Sequence, residues 1–221
     1  MAPERVEIDI TVSGVALGWA VLEGGTNGPS PAAMEEELSL AVAAAPGRAA
    51  LAETAVRKAA VRDMLRHGAY KPTGRGKPAS EYLLAAAIEG RFPRINILAD
   101  INNLVSLDSL LPISVVDLEK DGTRAFRVRR GAPGEFYVFN PSGQTLDLED
   151  LLLMARLPGD VPCATPVKDC QETKTGPATT GALVVVYAPE TLRAEAGSAA
   201  ERFAALARAH FGGTVLWGIA P

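Results

Sequence analysis

The residues best suited to chemistry lie in one stretch in the middle of the chain. Short polar side chains interrupt otherwise apolar segments there: Asp100, Asn102, Asn103, Ser114, Asp117 and Glu135. Such groups either cap turns or line a pocket. In a pocket, amides and hydroxyls can align a water molecule against a carbonyl and donate hydrogen bonds to the oxyanion that develops. Both interpretations remain open for each residue taken alone.

The sequence lacks the usual catalytic signatures. His67 and His210 are the only histidines, and neither belongs to an HExxH motif or accompanies a Gly-x-Ser-x-Gly motif. The GRGK segment at 74–77 does not have the spacing of a phosphate-binding GxxxxGK[ST] loop, which argues against a nucleoside triphosphatase. The spacing of Cys163 and Cys170 fits neither a CxxC motif nor a zinc knuckle. We therefore expect no metal, no cofactor and no disulfide.

Charge is unevenly distributed along the chain. The formal net charge is −4, yet residues 57–130 contain 14 Lys and Arg against 8 Asp and Glu. A local basic patch can attract RNA even in a protein with a pI of about 5.3. Lys71, Arg75 and Lys77 in a Gly/Pro-rich loop are candidate phosphate contacts. The alternative is an ordinary solvated surface.

The elements that must position these residues form a mixed pattern. We predict an opening strand within residues 1–24, helices at 32–45 and 49–67 separated by Pro46-Gly47, and a helix at 80–88 with Ser80 as N-cap. Further predicted elements are strands at 95–99, 113–118, 125–129, 135–139, 182–187 and 214–219 and a helix at 189–210. Because helices and strands do not alternate strictly, we expect an α+β fold with a mixed β-sheet core and flanking helices.

Length and hydropathy favour a single cytoplasmic domain spanning 1–221. No apolar run approaches the roughly 20 residues that cross a bilayer, and the charged start MAPERVEIDI does not resemble a signal peptide. We therefore expect no membrane partner.

Three sequence blocks together resemble a known module: ILADINNLVSL followed by LLPISVVDLE, then FRVRRGAPGEFY, then KDCQETKTGPATTGALVVVYAP. In their order and spacing they are similar to the B-three/B-four tRNA-binding domain, the editing module of the bacterial phenylalanyl-tRNA synthetase beta subunit, and to its freestanding relatives. The resemblance covers about residues 71–189. It implies the fold of that editing domain, with the N-terminal strand and helices and the C-terminal helix and strand packed on it.

The resemblance also implies an activity. The synthetase module hydrolyses the ester of a mischarged tRNA, and freestanding members act as trans-editing deacylases, including forms that clear an arginine analogue from arginine tRNA. The 221 residues lack the synthetase's other parts, so we expect editing in trans. The expected partners are the aminoacylated acceptor end of tRNA and possibly an aminoacyl-tRNA synthetase, not DNA.

The family's residues map onto this chain with three departures. One is that the synthetase's tyrosine-reading glutamate has no direct counterpart; Asp169 or Glu172 is expected in that neighbourhood, and either carboxylate would suit a cationic side chain better than a phenol. The family's Asp-x-Thr-Asn block falls on 100–103, so Asn102 replaces the threonine, and its Pro-x-His histidine falls on Ser114. The Arg-x-Ala-x-Gly-Glu element is kept and ends at Glu135, and the relatives' Asp and Thr resemble Asp169 and Thr173. From the residues and the resemblance together we predict catalytic residues Asn102, Asn103 and Ser114, substrate-binding residues Asp117, Glu135, Asp169, Glu172 and Thr173, and tRNA-binding residues Lys71, Arg75, Lys77 and Arg94.

Three functions compete at this point. The leading hypothesis is a deacylase that removes a noncognate amino acid or analogue, such as canavanine from arginine tRNA or tyrosine from phenylalanine tRNA. A noncatalytic tRNA- or RNA-binding adaptor with the same fold is the alternative that the Ser114 departure favours. A small-molecule amino-acid-binding protein or hydrolase is the third.

Overall fold

The computed structural model describes residues 4–220, which contain ten strands and six α-helices joined by loops and short 3-10 turns. Residues 1–3 and 221, which belong to the predicted single domain, lie outside the described residues. The strands are β1 (Glu7–Ile10), β2 (Val15–Glu23), β3 (Ile113–Asp117), β4 (Ala125–Arg130), β5 (Phe136–Val138), β6 (Thr145–Asp147), β7 (Leu152–Leu157), β8 (Val161–Ala164), β9 (Gly181–Pro189) and β10 (Thr214–Ile219). The helices are α1 (Ala32–Ala49), α2 (Ala52–Leu65), α3 (Ala79–Ile88), α4 (Ile97–Ser109), α5 (Leu118–Asp121) and α6 (Arg193–His210). This mixture confirms the α+β class.

The strands form two four-stranded sheets and a hairpin. The first sheet has the order β1-β4-β7-β8, the second has the order β10-β2-β9-β3, and β5 pairs with β6. All neighbours are antiparallel except β1 and β4. Strand β9 is buried along its whole length in the interior of the second sheet. Its run of Ala, Leu and Val gives that sheet a largely apolar centre, as expected for a strand covered on both faces.

Helix α6 packs closely on the second sheet because small residues face each other. Its buried side is made largely of alanine, including Ala196 and Ala200. A Cβ atom at Gly18 of β2 would collide with the carbonyl oxygen of Ala196. Glycine at this position therefore sets how near the helix lies to the sheet. Within residues 4–220, no helix has both the length and the hydrophobicity needed to span a membrane.

Helix α4 is anchored at its N-terminus by polar side chains. Asn96 is the N-cap, and its side-chain oxygen accepts a hydrogen bond from the Ala99 amide at 3.0 Å. Asn27 accepts from the Leu98 amide at 3.0 Å. The helix also packs against α1, α3, α6 and β3. These contacts fix both the position and the rotation of the helix that carries Asn102 and Asn103.

Four local predictions were wrong. Residues 95–99 are not a strand, because the apolar residues from Ile97 onward recur at helical spacing and start α4. Helix α1 continues through Pro46 to Ala49, so the helix tolerates the loss of the single N–H donor at Pro46 and ends three residues later. Ser80 lies inside α3, where Pro78 holds the N-cap position. The opening strand is two strands, β1 and β2, in different sheets.

Candidate functional site

A cleft of about 580 Å³ lies between α3, α4 and the start of β3. We call it the helical cleft. Its volume is typical of small-ligand sites. The cleft has an apolar wall, a polar strip from α4 and a basic rim, and its lining residues are Arg75, Ala79, Tyr82, Leu83, Ala85, Ala86, Arg91, Pro93, Asn102, Asn103, Ser106, Ile113, Val167 and Lys168.

The two asparagine amides on α4 are free to bind a ligand. Asn102 and Ser106 are four residues apart and share a helix face, and Asn103 lies beside them with 8% of its surface exposed. The Ser106 hydroxyl already donates to the Leu111 carbonyl at 2.7 Å. Neither asparagine side chain hydrogen-bonds to another group among residues 4–220, and the Asn102 Oδ1 atom is buried without a partner. Each amide can both donate and accept, so together they suit a carbonyl or a water molecule.

Arg75 reaches the cleft from a loop that two tyrosines hold in place. The loop makes a single 3-10 turn at Gly74–Gly76. The Tyr70 hydroxyl donates to the Gly76 carbonyl at 2.6 Å, and the Tyr82 hydroxyl donates to the Gly74 carbonyl at 2.7 Å. Within residues 4–220, Arg75 has no carboxylate within 4.0 Å. Its guanidinium charge is therefore available to an anionic ligand.

Lys168 contributes a second cation without a carboxylate partner among residues 4–220. Two side-chain hydroxyls hold its backbone by hydrogen bonds to its carbonyl oxygen. The Tyr137 hydroxyl donates to the Lys168 carbonyl at 2.5 Å, and Thr165 Oγ1 donates to the same oxygen at 2.9 Å. The ammonium lies 4.0 Å from the centre of the Phe139 ring. Burial lowers the pKa of Lys168, and the charges of Arg75 and Lys174 lower it further. The repulsion between these three cations marks a region of positive potential that attracts anions.

Ser114 is buried and does not line the helical cleft. It is 1% exposed on β3, and its hydroxyl donates to Asp169 Oδ1 at 2.6 Å. Burial raises the pKa of Asp169 to about 6, while the Ser114 hydrogen bond opposes that rise. Asp169 Oδ1 also faces the Thr165 amide at 3.4 Å. The pair therefore anchors the segment that presents Lys168 and does not face the ligand space directly.

Asp117 and Thr173 occupy buried positions away from the cleft lining. Asp117 caps α5 by accepting hydrogen bonds from the amides of Glu119 at 3.0 Å and Lys120 at 3.2 Å. Its second carboxylate oxygen accepts from the Thr179 hydroxyl at 2.6 Å. The Thr173 hydroxyl donates to the Cys163 carbonyl at 2.9 Å. All these contacts stabilise the packing of loops on the sheets.

Glu135 and Glu172 also lie outside the lining of the cleft. Glu135 makes a two-pronged ion pair with Arg129, at 2.7 and 2.8 Å, which lowers the pKa of Glu135. The Glu172 side chain is 79% exposed and lies 3.9 Å from Arg156. The structure therefore brings no predicted substrate-binding carboxylate to the walls of the helical cleft.

Three of the predicted phosphate contacts, Lys71, Lys77 and Arg94, do not line the helical cleft. Arg94 forms an ion pair with Glu35 at 3.0 Å. The Lys71 ammonium donates to the Gly68 carbonyl at 3.2 Å, and Lys77 is half-buried in the same loop as Arg75. Of the twelve predicted site residues, the structure brings Asn102, Asn103 and Arg75 together in the cleft.

Sequence reasoning missed Lys168, Tyr82, Ser106 and Arg91. Lys168 directly precedes Asp169 in the third block, so the prediction of Asp169 as a site residue already pointed to this segment. Ser106 follows Asn102 by one helical turn, but that signal depends on recognising α4 as a helix. The other two residues become part of the site only through the packing of α3 against α4.

No model of a known protein family matches this chain. A search of curated proteins finds no match. The chemistry of the helical cleft therefore carries the functional assignment.

Proposed function

We propose that this protein hydrolyses the ester bond of a mischarged aminoacyl-tRNA, with the aminoacyl end in the helical cleft. The observation that carries the proposal is the placement of two unpaired amides, Asn102 and Asn103, beside the free cations Arg75 and Lys168. Amides suit the ester carbonyl and the attacking water. The cations suit the phosphates next to the terminal ribose, where contacts give position and affinity. The resemblance to editing modules supports the same substrate class.

The proposed reaction needs no strong base from the protein. The water oxygen adds to the ester carbonyl carbon, an asparagine amide donates a hydrogen bond to the resulting oxyanion, and the bond to the ribose oxygen then breaks. A proton from the water passes to that ribose oxygen, which leaves free tRNA and a free amino acid. A neighbouring ribose hydroxyl can help to orient the water. This route fits a cleft whose lining contains no His, Cys, Asp or Glu.

The walls of the cleft favour a neutral side chain on the amino acid. Leu83, Ala86 and Ile113 form an apolar wall, and among residues 4–220 no carboxylate lines the cleft to pair with a cationic side chain. Tyrosine on phenylalanine tRNA therefore suits the site better than canavanine on arginine tRNA. The substrate also implies action in the cytoplasm, in the trans-editing manner of the freestanding relatives.

The test is a deacylation assay with a panel of correctly and incorrectly charged tRNAs. We expect rapid loss of one mischarged species with the wild-type protein. Asn103→Ala should lower kcat by about 100-fold or more, because removing one oxyanion donor typically costs that much. Ser109→Ala is the matched control, since it changes a polar residue on the same helix outside the cleft. Full activity in Asn103→Ala would contradict the proposed site.

A noncatalytic tRNA-binding adaptor is the second candidate. The observation that favours it is the burial of Ser114 against Asp169, at the position where the synthetase module has a histidine. An adaptor would bind tRNA with strong salt dependence and leave every charged species intact. Binding without hydrolysis in the same panel would select this function.

A further inference from the structure

A second cleft adjoins the first and shares two of its residues. It has a volume of about 650 Å³ and lies between the 3-10 turn at Gly74–Gly76 and the hairpin of β5 and β6. We call it the hairpin cleft. Arg75 and Lys168 line both clefts, so the two spaces meet at these cations. The remaining residues of the hairpin cleft are Gly76, Phe139, Gly143, Gln144, Thr145 and Leu146.

The hairpin cleft differs in chemistry from the helical cleft. It offers the Phe139 ring, the Leu146 side chain, the Thr145 hydroxyl and the Gln144 amide. Gln144 Oε1 accepts a hydrogen bond from Asn140 at 2.8 Å, which leaves the Gln144 NH₂ group to donate to a ligand. The Lys168 ammonium lies over one face of the Phe139 ring, so a nucleobase would pack against the rest of the ring surface and use its edge to hydrogen-bond with the polar groups beside it.

Contacts with neighbouring residues position the cations at the junction of the two clefts, where they can bind an anion. Lys168 lies over Phe139, and Arg75 is carried by the loop that Tyr70 and Tyr82 anchor. Lys174 lines neither cleft, but its ammonium donates to the Phe139 carbonyl beside this pair. Within residues 4–220, none of the three cations pairs with a carboxylate. A ligand that spans both clefts would therefore place a negative group between them.

We propose that the hairpin cleft binds the nucleotide that precedes the aminoacylated terminal adenosine of tRNA. The aminoacyl adenosine then occupies the helical cleft, the phosphodiester lies between Arg75 and Lys168, and the preceding base packs against Phe139 and Gln144. This inference rests on the proposed function for its substrate. It adds a second site on a different element, the hairpin, and it explains why two clefts of different character share one pair of cations.

Binding of short RNAs tests this assignment without requiring catalysis. The probe is the RNA trinucleotide CpCpA with a dye at its 5′ end, and adenosine 5′-monophosphate serves as the one-nucleotide comparison. We expect the wild-type protein to bind the trinucleotide at least tenfold more tightly. Phe139→Ala and Gln144→Ala should each weaken trinucleotide binding by about fivefold to tenfold and change binding of the mononucleotide less than twofold. Arg75→Gln should weaken both.

Two control variants test whether the changes in affinity are specific to the hairpin cleft. Phe136→Ala removes a neighbouring aromatic residue that is 63% exposed and lines neither cleft, so it should change neither affinity. Arg208→Gln removes an unpaired cation on α6, away from both clefts, and should also have no effect. Gln144→Ala changes a loop residue, so it keeps the test valid if Phe139→Ala destabilises the protein.

The outcomes separate this inference from the proposed function. Equal wild-type affinity for the two ligands, or equal loss of both in Phe139→Ala and Gln144→Ala, would overturn the nucleotide site even if deacylation occurs. Trinucleotide binding that depends on Phe139 and Gln144, in a protein that deacylates no tRNA, would support the nucleotide site and reject the deacylase.

Discussion

Asp121 is a carboxyl group whose side chain is fully buried. Within residues 4–220 neither of its oxygens has a hydrogen-bond partner, and the Arg156 guanidinium lies 3.8 Å from one of them. Burial raises the pKa of Asp121 to about 7, the charge of Arg156 opposes the rise, and Asp117 and Asp169 add to it. Cys163 also lies close enough for its pKa to respond to Asp121. The folded protein therefore holds this group protonated through mildly acidic pH.

This raised pKa predicts a pH dependence of stability. In the unfolded chain the carboxyl ionises above about pH 4, whereas in the folded chain it ionises only near pH 7. Ionisation therefore favours unfolding, and its contribution lowers the free energy of unfolding between pH 4 and 7 by up to about 4 kcal/mol. Asp121→Asn should remove that loss, so urea unfolding should show a stability gain over wild type that grows from pH 4 to pH 8.

An exposed carboxyl provides the control for this measurement. Asp63 is 66% exposed beside Arg66, so Asp63→Asn should change stability little and without the same pH profile. A constant difference between Asp121→Asn and wild type across the pH range would contradict the raised pKa.

Ser114 gives a second prediction at the residue scale. Its hydroxyl donates to Asp169 and does not line the cleft, so we expect it to stabilise the fold and not to contact the substrate. Ser114→Ala should raise the pKa of Asp169 further and lower the free energy of unfolding by about 1–3 kcal/mol. Deacylation should persist with a raised KM for tRNA, because the segment carrying Lys168 loses an anchor. The measurements are thermal unfolding and steady-state kinetics. Loss of kcat with unchanged stability would instead indicate direct participation of Ser114 in the reaction.

Glycine positions distinguish the elements that pack closely from those that do not. A Cβ at Gly18 would collide with the backbone of α6 at Ala196, whereas a Cβ at Gly47 in α1 would meet no atom within 4 Å. Gly18→Ala should therefore lower the free energy of unfolding by at least about 1–3 kcal/mol, because the added methyl group forces α6 away from the sheet. Gly47→Ala should raise stability by up to about 1 kcal/mol through helix propensity. Urea denaturation of both variants checks the pair, and equal effects would contradict it.

The sequence predicted those elements whose own residues show a clear pattern, such as a continuous apolar run or a long helical periodicity. Strand β10 has the predicted bounds, and the apolar run of β9 and the long helix α6 fall within a few residues of prediction. The start of α4 could not be predicted in the same way, since a short apolar run after Asn96 fits a strand as well as a helix. Strand β7 was missed because its short apolar run fits a helix as well as a strand, and its pairing with β4 and β8 is what defines it.

The candidate site shows the same division. Asn102 and Asn103 were identified because they lie in a contiguous block with a recognisable pattern. Lys168 was not identified, because its position depends on Tyr137, which contacts it from a strand about thirty residues earlier in the chain. A sequence shows which polar groups are available. It does not show which of them remain unpaired after folding, and that property defines the cleft.

The whole molecule is acidic, yet its free positive charge is concentrated. Among residues 4–220, 14 of the 22 Lys and Arg side chains lie within 4.0 Å of a carboxylate. Five of the other eight lie in two segments, 71–77 and 168–174. They are Lys71, Arg75, Lys77, Lys168 and Lys174. The local field near the clefts is therefore positive despite a net charge of −4.

This distribution predicts how tRNA binding should respond to salt. Each cation that contacts a single-stranded phosphate contributes about −0.7 to the slope of log K against log salt concentration. Lys168→Gln should make that slope less steep by about 0.7 to 1 and weaken binding most at low salt. Arg208→Gln removes a cation outside these segments and should leave the slope unchanged. Fluorescence titrations between about 50 and 200 mM salt measure both slopes. Because the two variants change the net charge equally, equal slopes would show that the overall charge governs binding, whereas a change confined to Lys168→Gln would locate the phosphates at the junction of the two clefts.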